Sequence, residues 1–169
     1  MSPACGEIME ILEILYPFFG EGRVNLIKSN IIQHTMDIPL AEQLKALSFE
    51  IRGAAMEVYN HFGPGLLESL YEKALILELQ MRDIRVESQV PVQVTYKGNI
   101  ISNDYRLDLL VDDLIILELK SVTELAPVHY KQLRTYLKLT NKPLGWLINF
   151  NENDFAHGMI KVPNRFYHP

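Results

Sequence analysis

Asp108-Leu109-Leu110-Val111-Asp112-Asp113-Leu114-Ile115-Ile116-Leu117-Glu118-Leu119-Lys120 is the stretch that decides the fold. Two apolar runs flank Asp112-Asp113, a turn signal, and predict a hairpin with strands at Tyr105–Val111 and Leu114–Lys120. Leu114 through Leu117 is apolar at every position, so this second strand is expected to be buried on both faces at the centre of a sheet. Asp108 lies five residues before Asp113, and Glu118 lies five after it. Antiparallel pairing about the turn therefore sets the two carboxylates roughly opposite each other. Strand alternation puts Lys120 on the same face as Glu118.

Two converged carboxylates repel each other unless a cation sits between them, and hard oxygen ligands suit magnesium or manganese. A lysine on the same face can orient or help deprotonate an attacking water, or stabilise charge developing on a phosphate. Ionised groups ending so apolar a strand cost several kcal/mol unless they are paired or hold a metal. The plainer reading is a solvated strand end with an acid near the turn, since ionisable clusters also arise structurally.

Upstream, Ile51, Ala54, Ala55, Val58 and Phe62 keep one apolar face of a helix from Ser48 until Gly63-Pro64-Gly65 breaks it. A second helix is expected over Leu66–Arg82, with Leu67, Leu70, Tyr71, Ala74 and Leu75 among its buried residues. Glu68 falls in its first turn, where the helix dipole favours an acid, and Tyr71 reads as a core residue before a catalytic one. The period then changes to two. Val86–Val90 is a strand candidate, Val92, Val94 and Tyr96 alternate with polar residues, and Lys97-Gly98-Asn99 signals a hairpin turn.

Downstream, Pro127–Leu139 reads as a helix that opens on a proline and ends at Asn141-Lys142-Pro143. At 100° per residue, Tyr130, Leu133 and Leu137 form its core face, while Lys131, Arg134 and Lys138 form a basic one. Gln132 and Tyr136 share a third edge, with His129 nearby. Such a helix suits a place beside a phosphate backbone, although three cations so spaced also make an ordinary solvated face. Gly145–Phe150 is another buried strand, and Gly158–Val162 a last edge strand. The order is α-α-β-β-β-α-β, a mixed α/β domain with a central sheet flanked by helices.

Residues 1–45 read differently and are set apart from the domain at 46–169. Glu7, Glu10 and Glu13 alternate with Ile8, Ile11, Leu12 and Leu15, which suggests a short amphipathic helix stopped by Tyr16-Pro17 and Phe19-Gly20. From Glu21 to Pro39 no period is clear. The segment is an appendage suited to packing, to a protein partner or to a second copy of the chain. Its apolar stretch from Ile8 to Phe19 contains Glu10 and Glu13 and is too short and too charged to cross a membrane.

The composition of 48% hydrophobic and 22% charged residues belongs to a globular protein with one core and excludes a disordered chain. A net charge of −5 argues against a broadly basic nucleic-acid binder, yet a site for divalent cations must itself be acidic. Cys5 is the sole cysteine, so no internal disulfide forms. With no basic leader pattern at the N-terminus, the expected setting is cytoplasmic.

Gly65-x-x-Glu68-x-x-Tyr71 resembles the motif of the GxxExxY proteins, a branch of the PD-(D/E)XK nuclease superfamily. The resemblance covers about Phe49 to Val162. It extends through Gly63-Pro64-Gly65-Leu66-Leu67-Glu68-Ser69, Tyr105-Arg106-Leu107-Asp108, Leu117-Glu118-Leu119-Lys120 and Gly145–Phe150. Gln132-Leu133-Arg134-Thr135-Tyr136 is similar to the Gln-x-x-x-Tyr signature of RecB-like nucleases. The resemblance implies a restriction-endonuclease-like core and a nuclease dependent on Mg2+ or Mn2+ that acts on DNA or RNA. It implies that Asp108 and Glu118 hold the metal with the Leu119 carbonyl, and that Lys120 acts at the attacking water. Glu68 would complete the acidic site directly or through a water, and Gln132 and Tyr136 would orient it or contact substrate. Lys131, Arg134 and Lys138 are the candidate nucleic-acid contacts. The alternative is a non-catalytic module that keeps this fold and binds nucleic acid or protein, favoured by the acidic charge, the small size and the lack of a DNA-reading domain.

Overall fold

The structure, a computed structural model, describes residues 39–169. By its contacts the chain divides into two compact units, Met1–Ala46 and Leu47–Pro169. The helix expected around Ile8–Leu15 lies outside the described residues.

Helix α1 (Leu40–Phe62) buries Leu47, Ile51, Ala54, Ala55 and Val58, a stripe repeating every three to four residues. It begins eight residues before Ser48, inside residues 1–45, the segment read as an appendage. Gly63 follows in the left-handed region (φ 65°), and its N–H bonds the Tyr59 carbonyl at 2.7 Å, which ends the helix. Phe62, expected on the buried face, is 47% exposed because it is the last residue of the helix. Helix α2 (Glu68–Met81) buries Tyr71, Leu75 and Leu79, a single line at four-residue spacing. That narrow line corrects the broader expectation. Leu67 is exposed because it is the N-cap that precedes the helix, and Leu70 is exposed and Ala74 half-buried because they lie about 140° and about 100° round the helix from the centre of that line.

Five strands make one sheet in the order β1-β2-β3-β4-β5. They are β1 (Val86–Tyr96), β2 (Asn99–Val111), β3 (Ile115–Lys120), β4 (Leu144–Asn149) and β5 (Met159–Pro163). All pairs are antiparallel except β3 with β4, which are parallel and joined through helix α3 (Pro127–Thr140). Strand β3 is third of five and buried along its length up to Lys120, as its unbroken apolar run requires.

β1 runs unbroken through Pro91, where two shorter pieces were expected. A proline is tolerated there because β1 is an edge strand, and its pairing slips between Val92 and Thr95. Lys97-Gly98 is a two-residue hairpin turn with positive φ at both residues, and Asp112 and Asp113 also have positive φ in the three-residue turn that ends at Leu114. Helix α4 (Phe155–Gly158) adds to the expected elements, and β5 is the last edge strand expected at Gly158–Val162.

Helix α3 lies on one face of the sheet, where Leu133, Tyr136 and Leu137 join Leu110, Ile116, Leu147 and Val162 in one cluster. α1 and α2 contribute nothing to that cluster. Tyr71 stacks on Phe150 at 4.4 Å, and Phe150 stacks on Phe155 at 5.1 Å. Among the described residues no helix is long and apolar enough to cross a membrane.

Candidate active site

Pairing of Leu109 with Leu117 carries outward to Asp108 and Glu118, the next positions on β2 and β3. The Leu119 N–H donates to Asp108 Oδ2 at 2.8 Å, which fixes that carboxylate against the neighbouring strand. Glu118 is fully buried. Its Oε1 accepts from Lys120 Nζ at 2.7 Å, and its Oε2 has no hydrogen-bond partner. Lys120 Nζ donates also to the Leu119 carbonyl at 2.7 Å, and lies 3.8 Å from Asp108 Oδ2 and 3.9 Å from Glu68 Oε1. Residues from α2, β2 and β3 thus converge on one ammonium group.

Glu68 reaches this point because α2 is tied to the end of β3. The Ser121 hydroxyl donates to the Leu66 carbonyl at 2.6 Å, and the Ser121 backbone bonds the Glu68 carboxylate. Tyr71 holds the same loop. Its hydroxyl donates to the Gly63 carbonyl at 2.6 Å and accepts from the Leu66 N–H at 3.1 Å. Tyr71 is therefore a buried brace for the segment that delivers Glu68. Asn149, at the end of β4, bonds both the N–H and the carbonyl of Val122 at 3.0 and 2.8 Å and steadies the chain leaving Lys120.

Neither Ser121 nor Asn149 was singled out in the sequence. The available signal was a polar residue ending an otherwise apolar strand, in each case next to or paired with Lys120.

Burial sets the electrostatics. It raises the Glu118 carboxyl to about 7, Asp108 adds to the rise, and Lys120 opposes it. Burial also raises Asp108, against the Leu119 N–H and Lys120, and raises Glu68, against Lys120. Burial would lower Lys120, but Glu118, Asp108 and Glu68 together outweigh it and hold the ammonium above the ordinary lysine value. Tyr136 is raised by burial, with the Gln132 hydrogen bond opposing and the Glu118 and Asp108 charges adding.

Tyr136 thus feels the acidic cluster, and Gln132 Nε2 bonds its hydroxyl at 3.2 Å. His129 instead caps its own helix, its Nδ1 accepting from the Ala126 N–H at 3.1 Å. Lys131, Arg134 and Lys138 are exposed and do not join the site. Arg134 and Lys138 lie roughly 160° round α3 from the Gln132–Tyr136 edge. Lys138 sits over the Phe166 ring at 5.4 Å, and Arg134 lines a groove with Tyr130, Ile160 and Arg165.

The donor set fits a hard divalent cation: every atom is an oxygen, and Glu118 Oε2 is a buried acceptor without a donor. Among the described residues no group of three or more His, Cys, Asp or Glu side chains is close enough to hold an ion. The oxygens gathered round Lys120 Nζ are those of Glu118, the Leu119 carbonyl, Asp108 and Glu68.

The sequence profile of the PD-(D/E)XK nuclease superfamily matches residues 45–162. No curated protein and no solved structure matches the chain.

Proposed function

The chain belongs to the PD-(D/E)XK nuclease superfamily, and on that premise we propose that it is a divalent-cation-dependent nuclease hydrolysing phosphodiester bonds of DNA or RNA. The observation that carries the reading is the meeting of Glu118, Asp108, Glu68 and the Leu119 carbonyl around Lys120 Nζ at 2.7–3.9 Å. Asp108, Glu118 and the Leu119 carbonyl would hold Mg2+ or Mn2+, with Glu68 reaching it through a water. The bound ion would supply Lewis acidity and a more acidic water.

The chain's own residues do the rest. Lys120 presents a positive charge where negative charge develops on the phosphate, and can hold the attacking water. Gln132 orients the Tyr136 hydroxyl at the rim. Lys131, Arg134 and Lys138 would meet phosphates further along the nucleic acid, on another side of α3. The Gly65-x-x-Glu68-x-x-Tyr71 pattern supports membership of the GxxExxY branch in this reading, and Gln132-x-x-x-Tyr136 supports a RecB-like relationship. The reading further takes residues 1–45 as an appendage that docks a protein partner or a second copy, and sets the whole in the cytoplasm.

Lys120→Ala is expected to lower cleavage of an oligonucleotide by roughly 10²–10⁴-fold while the variant still melts cooperatively. A pure, folded Lys120→Ala sample that cuts as fast as the parent would sink the mechanism. Oligonucleotide binding without any cation-dependent cleavage would instead favour the non-catalytic module, a reading that the net charge of −5 supports.

A further inference from the structure

Lys120 makes two hydrogen bonds at 2.7 Å, to Glu118 Oε1 and to the Leu119 carbonyl, and both are to oxygens that a divalent cation would need. Asp108 Oδ2 and Glu68 Oε1 stand next in line at 3.8 and 3.9 Å. An ammonium and a divalent ion cannot share these atoms, because like charges a few ångströms apart in a half-buried site repel strongly. The ammonium also serves its partners incompletely, since Glu118 Oε2 is buried and receives no donor. An ion with more coordination positions fits the same carboxylate better.

The displaced ammonium then needs an anion. Its side chain is only 12% exposed, and a buried charge stripped of its partner is expensive. Lysine has a flexible four-carbon stem, and the Glu68 side of the cluster opens to solvent, with that side chain 43% exposed. A phosphate arriving from that side would receive the ammonium.

We propose that Lys120 is the site's resident counter-ion, that a divalent cation binds by displacing it, and that the substrate phosphate takes the displaced ammonium, so that cation and phosphodiester bind cooperatively. This rests on the cation-dependent reading above. It gives Lys120 a role before any chemistry: it guards the acidic site against ions until a phosphate is present.

The test is calorimetric titration of Mg2+ into the full chain and into Lys120→Met, Lys120→Gln and Lys120→Arg. It is run at about pH 8.5, where the Glu118 carboxyl is ionised, with and without a short phosphorothioate oligonucleotide. Thermal melts establish that each variant is folded, and Lys120→Gln keeps a hydrogen-bond donor should Lys120→Met fail to fold. The two neutral variants are expected to bind Mg2+ at least about tenfold more tightly than the parent and Lys120→Arg. The oligonucleotide should tighten the parent by about tenfold or more and leave the neutral variants within about twofold.

Equal Mg2+ affinity for the parent and the neutral variants would overturn the proposal and leave the nuclease reading standing. An oligonucleotide without effect on the parent would overturn the cooperativity. No Mg2+ binding by any of the four, with or without oligonucleotide, would instead remove the cation-dependent reading itself.

Discussion

Glu118 is the residue on which the site turns, because it is fully buried and still ionisable near neutrality. Its folded pKa is about 7 against an ordinary 4.5, so between these values the native state binds a proton that the unfolded chain releases. Stability contributed by this group is therefore full below the ordinary value, falls as pH rises through the window, and is flat above it. Asp108 and Glu68 are shifted in the same direction and add to the slope. Thermal melts across the window should show the midpoint falling toward pH 7, and Glu118→Gln should flatten most of that fall. Cation binding must run the other way, since only the ionised carboxylate is a ligand. A melting temperature that rises across the same window would show that the carboxyl is not buried as described.

Helix α3 rests directly on β4 at Gly145, where an added Cβ would lie 2.7 Å from Leu133 Cδ1 and 3.1 Å from its Cγ. Leu133 is fully buried in the cluster beneath the helix, so the shift that a Cβ would force on it disturbs that packing. Gly145→Ala is expected to destabilise by about 1–3 kcal/mol in chemical denaturation, and Leu133→Val in the same chain should recover part of the loss. The β2–β3 hairpin was legible in the sequence because its signals are local: an apolar run on each side of two residues that both take positive φ. That hairpin alone sets Asp108 against Glu118 and Lys120, so the heart of the site was legible with it. The exposure of Leu67, Leu70 and Phe62 was not, because which flank of an apolar helix is covered depends on distant partners. The same holds for Ser121, whose hydroxyl meets a carbonyl 55 residues away, and for the edge position that lets Pro91 sit inside β1.

Over the whole molecule the net charge is −5, yet Lys131, Arg134, Lys138 and Arg165 take part in no ion pair among the described residues. If the stripe follows a nucleic-acid backbone, Arg134→Glu with Lys138→Glu should weaken oligonucleotide binding and reduce its salt dependence by about 2 in log–log slope. Mg2+ titration should be untouched, since neither residue is near the acidic cluster. Unchanged binding would make the stripe an ordinary solvated face. The tight turn at Asp112-Asp113 has a last consequence, in time. A hairpin closes in about 1–10 μs, so the two carboxylates meet early, in water. The helix that covers them comes only with the crossover from β3 to the parallel strand β4, a non-local step that folds slowly. Late folding therefore has to strip water from an ionised Glu118. Stopped-flow refolding followed by Trp146, the single tryptophan and a buried one, should run faster at about pH 5.5 than at about pH 8. In Glu118→Gln the two rates should coincide.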